Sequence, residues 1–275
     1  MTLTADSGST KTTWLIKSDA DHDATSLRFS TQGINPFHLS NDEITNIIKD
    51  ELLCQIGFPK PKEITAVHFY GAGCTTEKSP ILSAILRRLF SNASSIEVGS
   101  DMLGAARALL GNTPGIACIL GTGANSCLYD GNDIIGNVSP MGYILGDEGS
   151  GAVLGRTFIN LLYKGEHRDF IPVFEQETGL NAPLIIEKVY RSPMPNRFLA
   201  SLAPFIKAHI NSEEWIEEMV TDCFRLFFRR NVCHYHHNEL PCSFVGSIAY
   251  YFEEQLHKAA TAEGFHIGKV MKEPL

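Results

Sequence analysis

Short apolar runs alternate with polar turns and with longer amphipathic stretches along the first hundred residues. Apolar runs bounded by Gly, Asn, Asp or Ser are typical of strands, whereas apolar positions three and four apart predict helices. The pattern predicts strands at Leu3 to Ala5, Thr12 to Lys17 and Ser26 to Thr31, a helix from Asn41 to Gly57, a strand at Thr65 to Tyr70, a helix from Pro80 to Phe90 and a strand at Ser95 to Gly99. Asn41 is the predicted N-cap of the first helix.

The same order of elements then begins again. A short helix over residues 101–111 is followed by strands at Ile116 to Leu120, Ser126 to Tyr129 and Asp133 to Asn137, with a hairpin turn at Asp130 to Asn132. Helices are predicted at Ser150 to Tyr163, Ala182 to Tyr190, Glu213 to Tyr235 and Tyr250 to Ala262, and a strand at Cys242 to Val245. Interleaved strands and helices in both halves indicate an α/β protein. We therefore predict two lobes, residues 1–104 and 105–275, joined through packed elements near residues 100–110.

Two short glycine turns each link two predicted strands. Their sequences are Asp6-Ser7-Gly8-Ser9-Thr10-Lys11 and Gly121-Thr122-Gly123-Ala124-Asn125. A Walker loop has a glycine directly before its lysine and a helix after it, and the first turn has neither feature. The backbone N–H groups and hydroxyls of two hairpin turns can instead cradle phosphate from two sides.

Asp6 and a third glycine junction add to these turns. Asp6 ends the first strand, where a carboxylate can hold Mg²⁺ through water or can merely order the turn. The presence of the second turn favours the Mg²⁺ interpretation. Gly246 and Ser247 follow the strand near Val245, and their small size would let an adenine ring or ribose approach the backbone. A plain helix start explains these two residues equally well.

Composition narrows the class of ligand and partner. The 275 residues include 44% hydrophobic and 20% charged residues, with 31 acidic and 23 basic side chains and a net charge of -8. This balance argues against a nucleic-acid surface, so a small anionic ligand needs a local cradle. The chain begins without a basic and apolar leader and has no apolar run of membrane-spanning length, so we expect a cytoplasmic protein.

Cysteine and aromatic patterns predict packing more than chemistry. The seven cysteines lie in apolar runs without a Cys-x-x-Cys pair, and we expect reduced, buried thiols. The spacing from Cys233 to His237 fits no common metal-ligand pattern, so a polar helix end explains this segment better. Phe224, Phe227 and Phe228 predict a core stripe. Arg225, Arg229 and Arg230 on the same helix predict a solvated face, or a subunit contact.

A fourth motif is Tyr143-Ile144-Leu145-Gly146-Asp147-Glu148-Gly149-Ser150-Gly151. Acids before a helix often only complement its dipole, but the flanking glycines would let these carboxylates approach a ligand. Together with Asp6 to Lys11, Leu120 to Asn125 and Val245 to Ala249, the motif resembles the BadF/BadG/BcrA/BcrD-type ATPase family of the actin, Hsp70 and sugar-kinase superfamily, and most closely N-acetylglucosamine kinases. The resemblance covers nearly the whole chain. It implies two actin-like, ribonuclease H-like lobes with an ATP cleft between them.

The resemblance also implies roles for individual residues. Asp101 matches the family's catalytic base, although the residues alone favour a helix-capping Asp. Asp147 matches a residue that binds sugar hydroxyls, and the role of Glu148 stays open. Pro140 stands where the mammalian pattern has a glycine. The implied substrate contacts are Asn35, Gly71, Ala72, Gly73, Asp101, Thr122 and Asp147; the implied nucleotide contacts are Asp6, Gly8, Ser9, Thr10, Lys11, Gly121, Thr122, Gly123, Gly246 and Ser247, with Mg²⁺ held near Asp6 through water.

We therefore predict an ATP-dependent kinase that phosphorylates the 6-hydroxyl of an amino sugar, N-acetylglucosamine before others, with ATP and Mg²⁺ as cofactors. The expected partners are a small-molecule sugar and a second copy of the chain, with no nucleic acid and no membrane. Two alternatives stay open: a non-catalytic sugar or nucleotide sensor, and an ATPase activator of a 2-hydroxyacyl-CoA dehydratase-type system. Such an activator would need cysteines on loops, whereas Cys118 and Cys127 lie in predicted strands. Relatives are expected to continue past the strand near Val270 into a final helix, whereas this sequence stops at Leu275.

Overall fold

The computed structural model describes residues 1–8, 11–18, 26–55 and 61–275. These residues form two compact units, one of Met1–Ala108 with Pro274–Leu275 and the other of Leu109–Glu273. The division falls within a helix that spans Asp101–Leu110. The boundary expected from the sequence, between residues 104 and 105, lies in the same helix.

The first unit is built on a five-stranded sheet in the order β3-β2-β1-β4-β5. Strands β1, β2 and β3 form an antiparallel meander, while β4 pairs parallel with β1 and β5 pairs parallel with β4. The strands are β1 (Thr2–Ser7), β2 (Lys11–Lys17), β3 (Leu27–Gln32), β4 (Ala66–Gly71) and β5 (Ser95–Ser100). The helices are α1 (Asn41–Asn46), continued by a π-helical segment over Ile47–Leu53, then α2 (Ser79–Leu89) and α3 (Asp101–Leu110), with a 3₁₀ turn at Pro61–Glu63.

The second unit repeats this sheet plan with other strands. Its five-stranded sheet has the order β10-β9-β6-β7-β8, in which β6, β7 and β8 form the antiparallel meander and β9 and β10 continue in parallel from β6. The strands are β6 (Gly115–Leu120), β7 (Ala124–Tyr129), β8 (Ile134–Gly136), β9 (Cys242–Val245) and β10 (Ile267–Met271). The prediction that the order of elements restarts is therefore confirmed at the level of strand pairing.

The remaining elements of the second unit are helices. They are α4 (Gly142–Leu145), α5 (Gly151–Lys164), α6 (Ile171–Thr178), α7 (Ala182–Tyr190), α8 (Pro195–Ala200), α9 (Ala203–His209), α10 (Glu214–Arg230), α11 (Ser247–Tyr251) and α12 (Glu253–Ala262), with 3₁₀ turns at Arg168–Phe170 and Val232–Tyr235. The sequence-based prediction missed α4, α6, α8 and α9. Pro195 and Pro204 lie in the first turns of α8 and α9, because a first-turn residue needs no N–H donor.

Several predicted helix limits are wrong, each for a local reason. Ser40, not Asn41, is the N-cap of α1, because its hydroxyl and the Glu43 side chain form a reciprocal capping box. The predicted end of that helix at Gly57 lies outside the described residues. The helix predicted from Tyr250 to Ala262 is divided at Phe252, which has a φ of -113° between α11 and α12. Helix α10 ends at Arg230, before the separate 3₁₀ turn.

Each unit has its own apolar core. In the first unit Trp14 is fully buried, its ring centroid 5.7 Å from that of Phe69, and its Nε1–H donates to Thr31 Oγ1 at 3.0 Å. In the second unit the predicted stripe on α10 is confirmed, since all three of its aromatic side chains are fully buried: Phe224, Phe227 and Phe228. Burial against the sheets is the main stabilising contribution in both units.

One expectation about polar groups is confirmed and one about thiols needs correction. The arginines of α10 lie on a solvated face, since Arg229 and Arg230 are exposed and Arg225 is partly exposed. They also form ion pairs within the second unit, Arg225 and Arg229 with Glu263 and Arg230 with Glu148. The cysteines are all free thiols, but Cys54 is exposed and Cys233 is partly exposed, so burial holds for the other five.

Candidate active site

The carboxyl ends of three parallel strands meet at one edge of the first sheet. Ser7 of β1 is in register with Gly71 of β4, and Gly71 is in register with Ser100 of β5. Asp6 is therefore the penultimate residue of its strand at this edge, and Asp101 follows the last residue of β5 directly. Strand register thus brings the predicted metal-binding and catalytic carboxylates to the same edge, where α/β proteins commonly bind ligands.

The first glycine turn is a hairpin, as the sequence predicts. Its ends pair antiparallel, with Ser7 opposite Thr12, and Gly8 N–H donates to Lys11 C=O at 3.0 Å. Ser7 is fully buried; its hydroxyl lies 2.7 Å from Thr12 Oγ1 and donates to Ile34 C=O at 2.9 Å. These bonds fasten the turn to the segment after β3. Ser9 and Thr10, two of the predicted nucleotide contacts, lie outside the described residues.

The predicted sugar-binding loops of the first unit lie against each other. Asn35 Oδ1 accepts a hydrogen bond from Phe37 N–H at 2.9 Å, which closes a local turn. Gly73 has a φ of +79°, and a Cβ atom there would collide with Asn35 Oδ1. Ala72 N–H donates to Ser7 C=O at 2.9 Å, which ties the same loop to the first glycine turn. The structure therefore brings Asn35 and the loop of Ala72 and Gly73 together; their role in sugar binding stays a prediction.

Asp101 is the first residue of α3, and the hydroxyl of the preceding Ser100 accepts a hydrogen bond from Leu103 N–H at 3.2 Å, as an N-cap does. Its Oδ1 accepts a hydrogen bond from Met102 N–H at 2.8 Å. Burial raises the pKa of the Asp101 carboxyl, although the backbone hydrogen bonds oppose this shift. The neighbouring Cys74 thiol has its pKa raised to about 12, chiefly by burial and further by the charge of Asp101. Asp101 is thus a first-turn residue of α3 whose carboxylate is more basic than an exposed one.

The second glycine turn is held by the start of α5. Gly121 N–H donates to Gly123 C=O at 3.0 Å, which closes the hairpin between β6 and β7. Gly151 N–H donates to Gly121 C=O at 2.8 Å, and Ala152 N–H donates to Thr122 C=O at 3.2 Å. These two N–H groups at the helix N-terminus therefore fix the position of the turn.

Asp147 lies beside the same turn in an unusual backbone conformation. Its φ is +51°, and its N–H donates to Pro140 C=O at 2.8 Å. A Cβ atom at Gly123 would lie 3.1 Å from Asp147 Oδ2. The pKa of Asp147 is raised to about 6, first by burial and then by the Glu148 charge, while a hydrogen bond from Ala124 N–H lowers it. Asp147 is therefore a poorly solvated carboxylate next to the second glycine turn.

Glu148 points to a different partner from Asp147. Its Oε1 accepts from Arg230 Nη1 at 3.1 Å, and its Oε2 accepts from Asn231 Nδ2 at 3.3 Å. Its side chain is only 12% exposed, so this pairing offsets the cost of burying a carboxylate. Glu148 thereby anchors the Asp147 loop to the end of α10.

The third junction is held close to the second turn by the sheet. Gly246 has a φ of +126°, and a Cβ atom there would collide with Leu120 C=O. A glycine is therefore needed at this position for the approach of two strands, whereas the sequence suggested close approach of a ligand. Ser247 begins α11, so the predicted helix start is confirmed.

A cavity of about 750 Å³ opens beside these motifs, a size typical of small-molecule sites. Thr122 and Ser247 contribute to it, but helices α8 and α9, which the sequence analysis missed, provide much of its wall. It is lined by Gly121, Thr122, Arg197, Ala200, Ser201, Ala203, Pro204, Lys207, Ala208, Ser247, Ile248, Tyr251 and Phe252. Pro195 and Pro204 were the one signal in the sequence that could have indicated helix starts here.

The described residues contain neither a cluster of metal-ligating side chains nor, at Cys118 and Cys127, thiols suited to bind a metal. Within residues 1–8, 11–18, 26–55 and 61–275, no group of three or more His, Cys, Asp or Glu side chains could hold a metal ion. Cys118 and Cys127 lie inside β6 and β7, as predicted, and burial raises the pKa of Cys127 to about 12. Such thiols stay protonated near neutral pH and are poor ligands.

The described helices include none that is both long and apolar enough to span a bilayer.

Comparison with known proteins found relatives among solved structures. No family model matches the chain, and no curated protein sequence matches it. A candidate N-acetylglucosamine kinase from Porphyromonas gingivalis is 48% identical, with a TM-score of 0.91, and the match covers 100% of this chain and 95% of that one. At this identity and coverage the two chains share a family.

More distant structures share the fold. A candidate N-acetylglucosamine kinase from Chromobacterium violaceum is 17% identical with a TM-score of 0.69, and the match covers 93% of this chain and 90% of that one. A ROK family glucokinase from Streptomyces griseus, solved in complex with glucose and AMPPNP, is 14% identical with a TM-score of 0.55 over 98% of this chain and 94% of that one. The predicted α/β fold with two actin-like lobes is confirmed. The chain belongs to the N-acetylglucosamine kinase-like family of the actin, Hsp70 and sugar-kinase superfamily.

Proposed function

We propose that this protein is an ATP-dependent kinase that transfers the γ-phosphate to the 6-hydroxyl of an amino sugar, with N-acetylglucosamine as the first candidate. The observation that carries the proposal is the 48% identity, along the full chain, to a candidate N-acetylglucosamine kinase. The site geometry supports it independently. In the first unit, Asp6, the Gly71–Gly73 loop and Asp101 lie at the carboxyl ends of the parallel strands. In the second unit, Gly121 and Gly246 lie at the carboxyl ends of the parallel strands β6 and β9.

The second unit is proposed to bind the nucleotide. The cavity of about 750 Å³ has a size suited to a nucleoside, and Gly121 and Thr122 of the second glycine turn form part of its wall. Gly123 would contribute with them to phosphate binding through backbone N–H groups. Gly246 would hold Ser247 in place at the cavity wall. The first turn, with Gly8, Ser9, Thr10 and Lys11, is proposed as a further phosphate contact.

The first unit is proposed to bind and activate the acceptor. Asn35 and the Gly71–Gly73 loop would contact the sugar, because they lie against each other at the end of β4. The end of β4 is in register with the end of β5, which Asp101 follows. The Asp101 carboxylate would accept the proton of the 6-hydroxyl as that oxygen attacks the γ-phosphorus in line. Burial raises the pKa of Asp101, which makes its carboxylate a better proton acceptor. Asp147 and Thr122 would orient other sugar hydroxyls.

We propose that Mg²⁺ binds this site with few protein ligands, as kinases usually hold it. The described residues offer no cage of three or more ligating side chains, but Mg²⁺ commonly keeps most of its waters and binds one or two carboxylates plus substrate phosphates. Asp6 at the end of β1 would hold the ion through water. When bound, the ion would neutralise charge on the phosphates.

Two further parts of the proposal come from the family resemblance and the sequence alone. We propose a homodimer and a cytoplasmic location for the protein. Sedimentation equilibrium of the purified protein would test the first, and fractionation of cells that express it would test the second.

An assay of ADP release with a panel of hexoses and amino sugars tests the proposed function. We expect N-acetylglucosamine or a close amino sugar to give the fastest turnover. Asp101→Asn should keep ATP and sugar binding and lose nearly all phosphoryl transfer, because its amide cannot accept the proton. No sugar-dependent ADP release from the wild type, or near-normal turnover by the variant, would contradict the proposal. A visible spectrum of the protein tests the activator alternative, which requires bound iron.

A further inference from the structure

One N–H donor of a partly exposed charged side chain in the second unit is buried without a hydrogen-bond acceptor. Among the residues that the structure describes, Arg197 Nη2 and Gln255 Oε1 are the buried side-chain polar atoms without a hydrogen-bond partner in the protein. Gln255 is not part of the cavity wall, but Arg197 is. Arginine keeps its charge at all physiological pH values, so a buried N–H donor of this group is costly when it is left unsatisfied.

The surroundings of Arg197 point to an acceptor supplied by a ligand. The cavity wall contains a second cation, Lys207, whose Nζ lies 5.5 Å from the centroid of the Phe252 ring. The wall includes no carboxylate that could pair with Arg197. A bound molecule with lone pairs directed at Nη2 would therefore satisfy a donor that the protein leaves without a partner.

Tight packing fixes the position of Arg197 relative to the second glycine turn. Helix α8 lies so close to α5 that a Cβ atom at Gly155 would collide with Leu199 C=O, and one at Gly151 would lie 3.1 Å from Ala200 Cβ. Gly151 in turn donates its N–H to Gly121 C=O. Arg197 is thus held on the same rigid assembly as the turn that is proposed to bind phosphate.

The lining of the cavity indicates which part of a nucleotide Arg197 meets. Apart from the turn residues and the two cations, the wall is largely apolar, with Ala203, Pro204, Ile248 and Phe252 among its members. An apolar wall suits a purine base and ribose better than a polyphosphate chain, which carries several charges and needs many donors.

We infer that Arg197 is a nucleotide-binding residue whose Nη2 donates a hydrogen bond to an acceptor on the nucleoside, a ring nitrogen or a ribose oxygen, and that it gives the cavity its affinity for the nucleoside. This inference rests on the proposed function, because it takes ATP as the occupant of the cavity. Arg197 takes no part in phosphoryl transfer itself. Its contribution is to nucleotide affinity.

Isothermal titration with ADP and with adenosine tests the inference. Arg197→Met keeps most of the side-chain length but removes the donor, so it should weaken binding of both ligands by about 10- to 100-fold, the effect of losing a hydrogen bond to a charged group. The matched control is Arg191→Met, an exposed arginine just before α8, and it should bind both ligands like the wild type. In kinetics, Arg197→Met should raise the KM for ATP and leave the KM for the sugar and kcat nearly unchanged.

Stability separates a ligand-binding arginine from a structural one. Removing an unsatisfied buried donor should leave the ligand-free protein with a Tm equal to or above that of the wild type, and ADP should no longer raise it as strongly. A large fall in Tm without ligand would assign Arg197 to the fold and overturn the inference. Arg197→Gln, which keeps a planar N–H donor on a shorter side chain, should recover part of the affinity.

The outcomes distinguish this inference from the proposed function. If the wild type binds neither ADP nor adenosine, the proposed function fails and the inference fails with it. If the wild type binds both and Arg197→Met binds them equally well, the inference alone is overturned. Weaker binding of ADP with unchanged binding of adenosine would place Arg197 at the phosphates and would also overturn the assignment to the nucleoside.

Discussion

Asp147→Asn should make the ligand-free protein more stable at pH 8, although it removes a residue that is proposed to bind the sugar. The pKa of Asp147 is raised to about 6, first by burial and then by the Glu148 charge, against a hydrogen bond from Ala124 N–H. The folded protein therefore disfavours the charged form of this carboxyl. Asparagine has nearly the same shape, carries no charge and tolerates the positive φ of this position.

The size and pH window of the effect follow from the two pKa values. In the unfolded chain the carboxyl titrates near its ordinary value of 3.8, and in the folded chain near 6. Between these values the folded state binds more protons, so stability falls as the pH rises from about 4 to about 6 and stays lowered above it. About two pKa units correspond to at most ~3 kcal/mol, and partial exposure of the group reduces this to about 1–2 kcal/mol.

Urea unfolding of both proteins at pH 8 and pH 5 provides the measurement. We expect Asp147→Asn to raise the free energy of unfolding by about 1–2 kcal/mol at pH 8 and by about half as much at pH 5, where the folded wild type is already largely protonated. The same variant should raise the KM for the sugar far more than that for ATP. A variant no more stable than the wild type at pH 8, or a gain that is equal at the two pH values, would refute the reasoning.

Asp130→Asn is the matched control, because the same substitution has the opposite sign there. Two backbone N–H groups, those of Asp133 and Asn132, donate to Asp130 Oδ1 at 2.8 Å each and lower the pKa of this exposed carboxyl. The charged Asp130 carboxylate stabilises the fold above pH 3.8, and this stabilisation is lost only as the pH falls below that value. Asp130→Asn should therefore lower stability equally at pH 8 and pH 5.

Three further substitutions test other contacts. Asp6→Ala should weaken the use of Mg²⁺–ATP, seen as a higher Mg²⁺ requirement in the ADP-release assay, and an unchanged Mg²⁺ dependence would count against its role. Gly155→Ala should destabilise the protein by about 1–3 kcal/mol despite the better helix propensity of alanine, because its Cβ would collide with Leu199 C=O on α8; a urea midpoint at or above that of the wild type would contradict this packing. Arg230→Met leaves the nearly buried Glu148 without its cation, so we expect about 1 kcal/mol lower stability in urea and a higher KM for the sugar, with the KM for ATP as the internal control.

The sequence predicted those features that depend on local chemistry. Both glycine turns were identified as hairpins because an apolar run stood on each side of them, and the antiparallel registers of β1 with β2 and of β6 with β7 confirm this. The position of Asp101 after β5 followed in the same way from a strand that ends at a polar residue. Alternation along a strand is a short-range signal, so a single sequence is enough to detect it.

The cavity wall could not be predicted by such signals. Helices α8 and α9 are only one to two turns long, too short for a clear period of apolar positions. The position of Arg197 in the same cavity wall as the second glycine turn depends on the packing of α8 against α5, which joins segments far apart in the chain. The positive φ of Asp147 is likewise a product of its surroundings, since its N–H must reach Pro140 C=O.

The glycines of the motifs divide into two groups once their neighbours are known. A Cβ atom at Gly246 would collide with Leu120 C=O, one at Gly146 with Pro140 C=O and one at Gly73 with Asn35, so these glycines allow segments of the protein to meet. Gly121 differs, because a Cβ atom there would have no other atom of the described protein within 4 Å, although Gly121 lines the cavity. The first group builds the site by bringing its loops together. At Gly121, no contact within the protein explains why a side chain is absent. A nucleotide phosphate that approaches the turn is the group that would use this space.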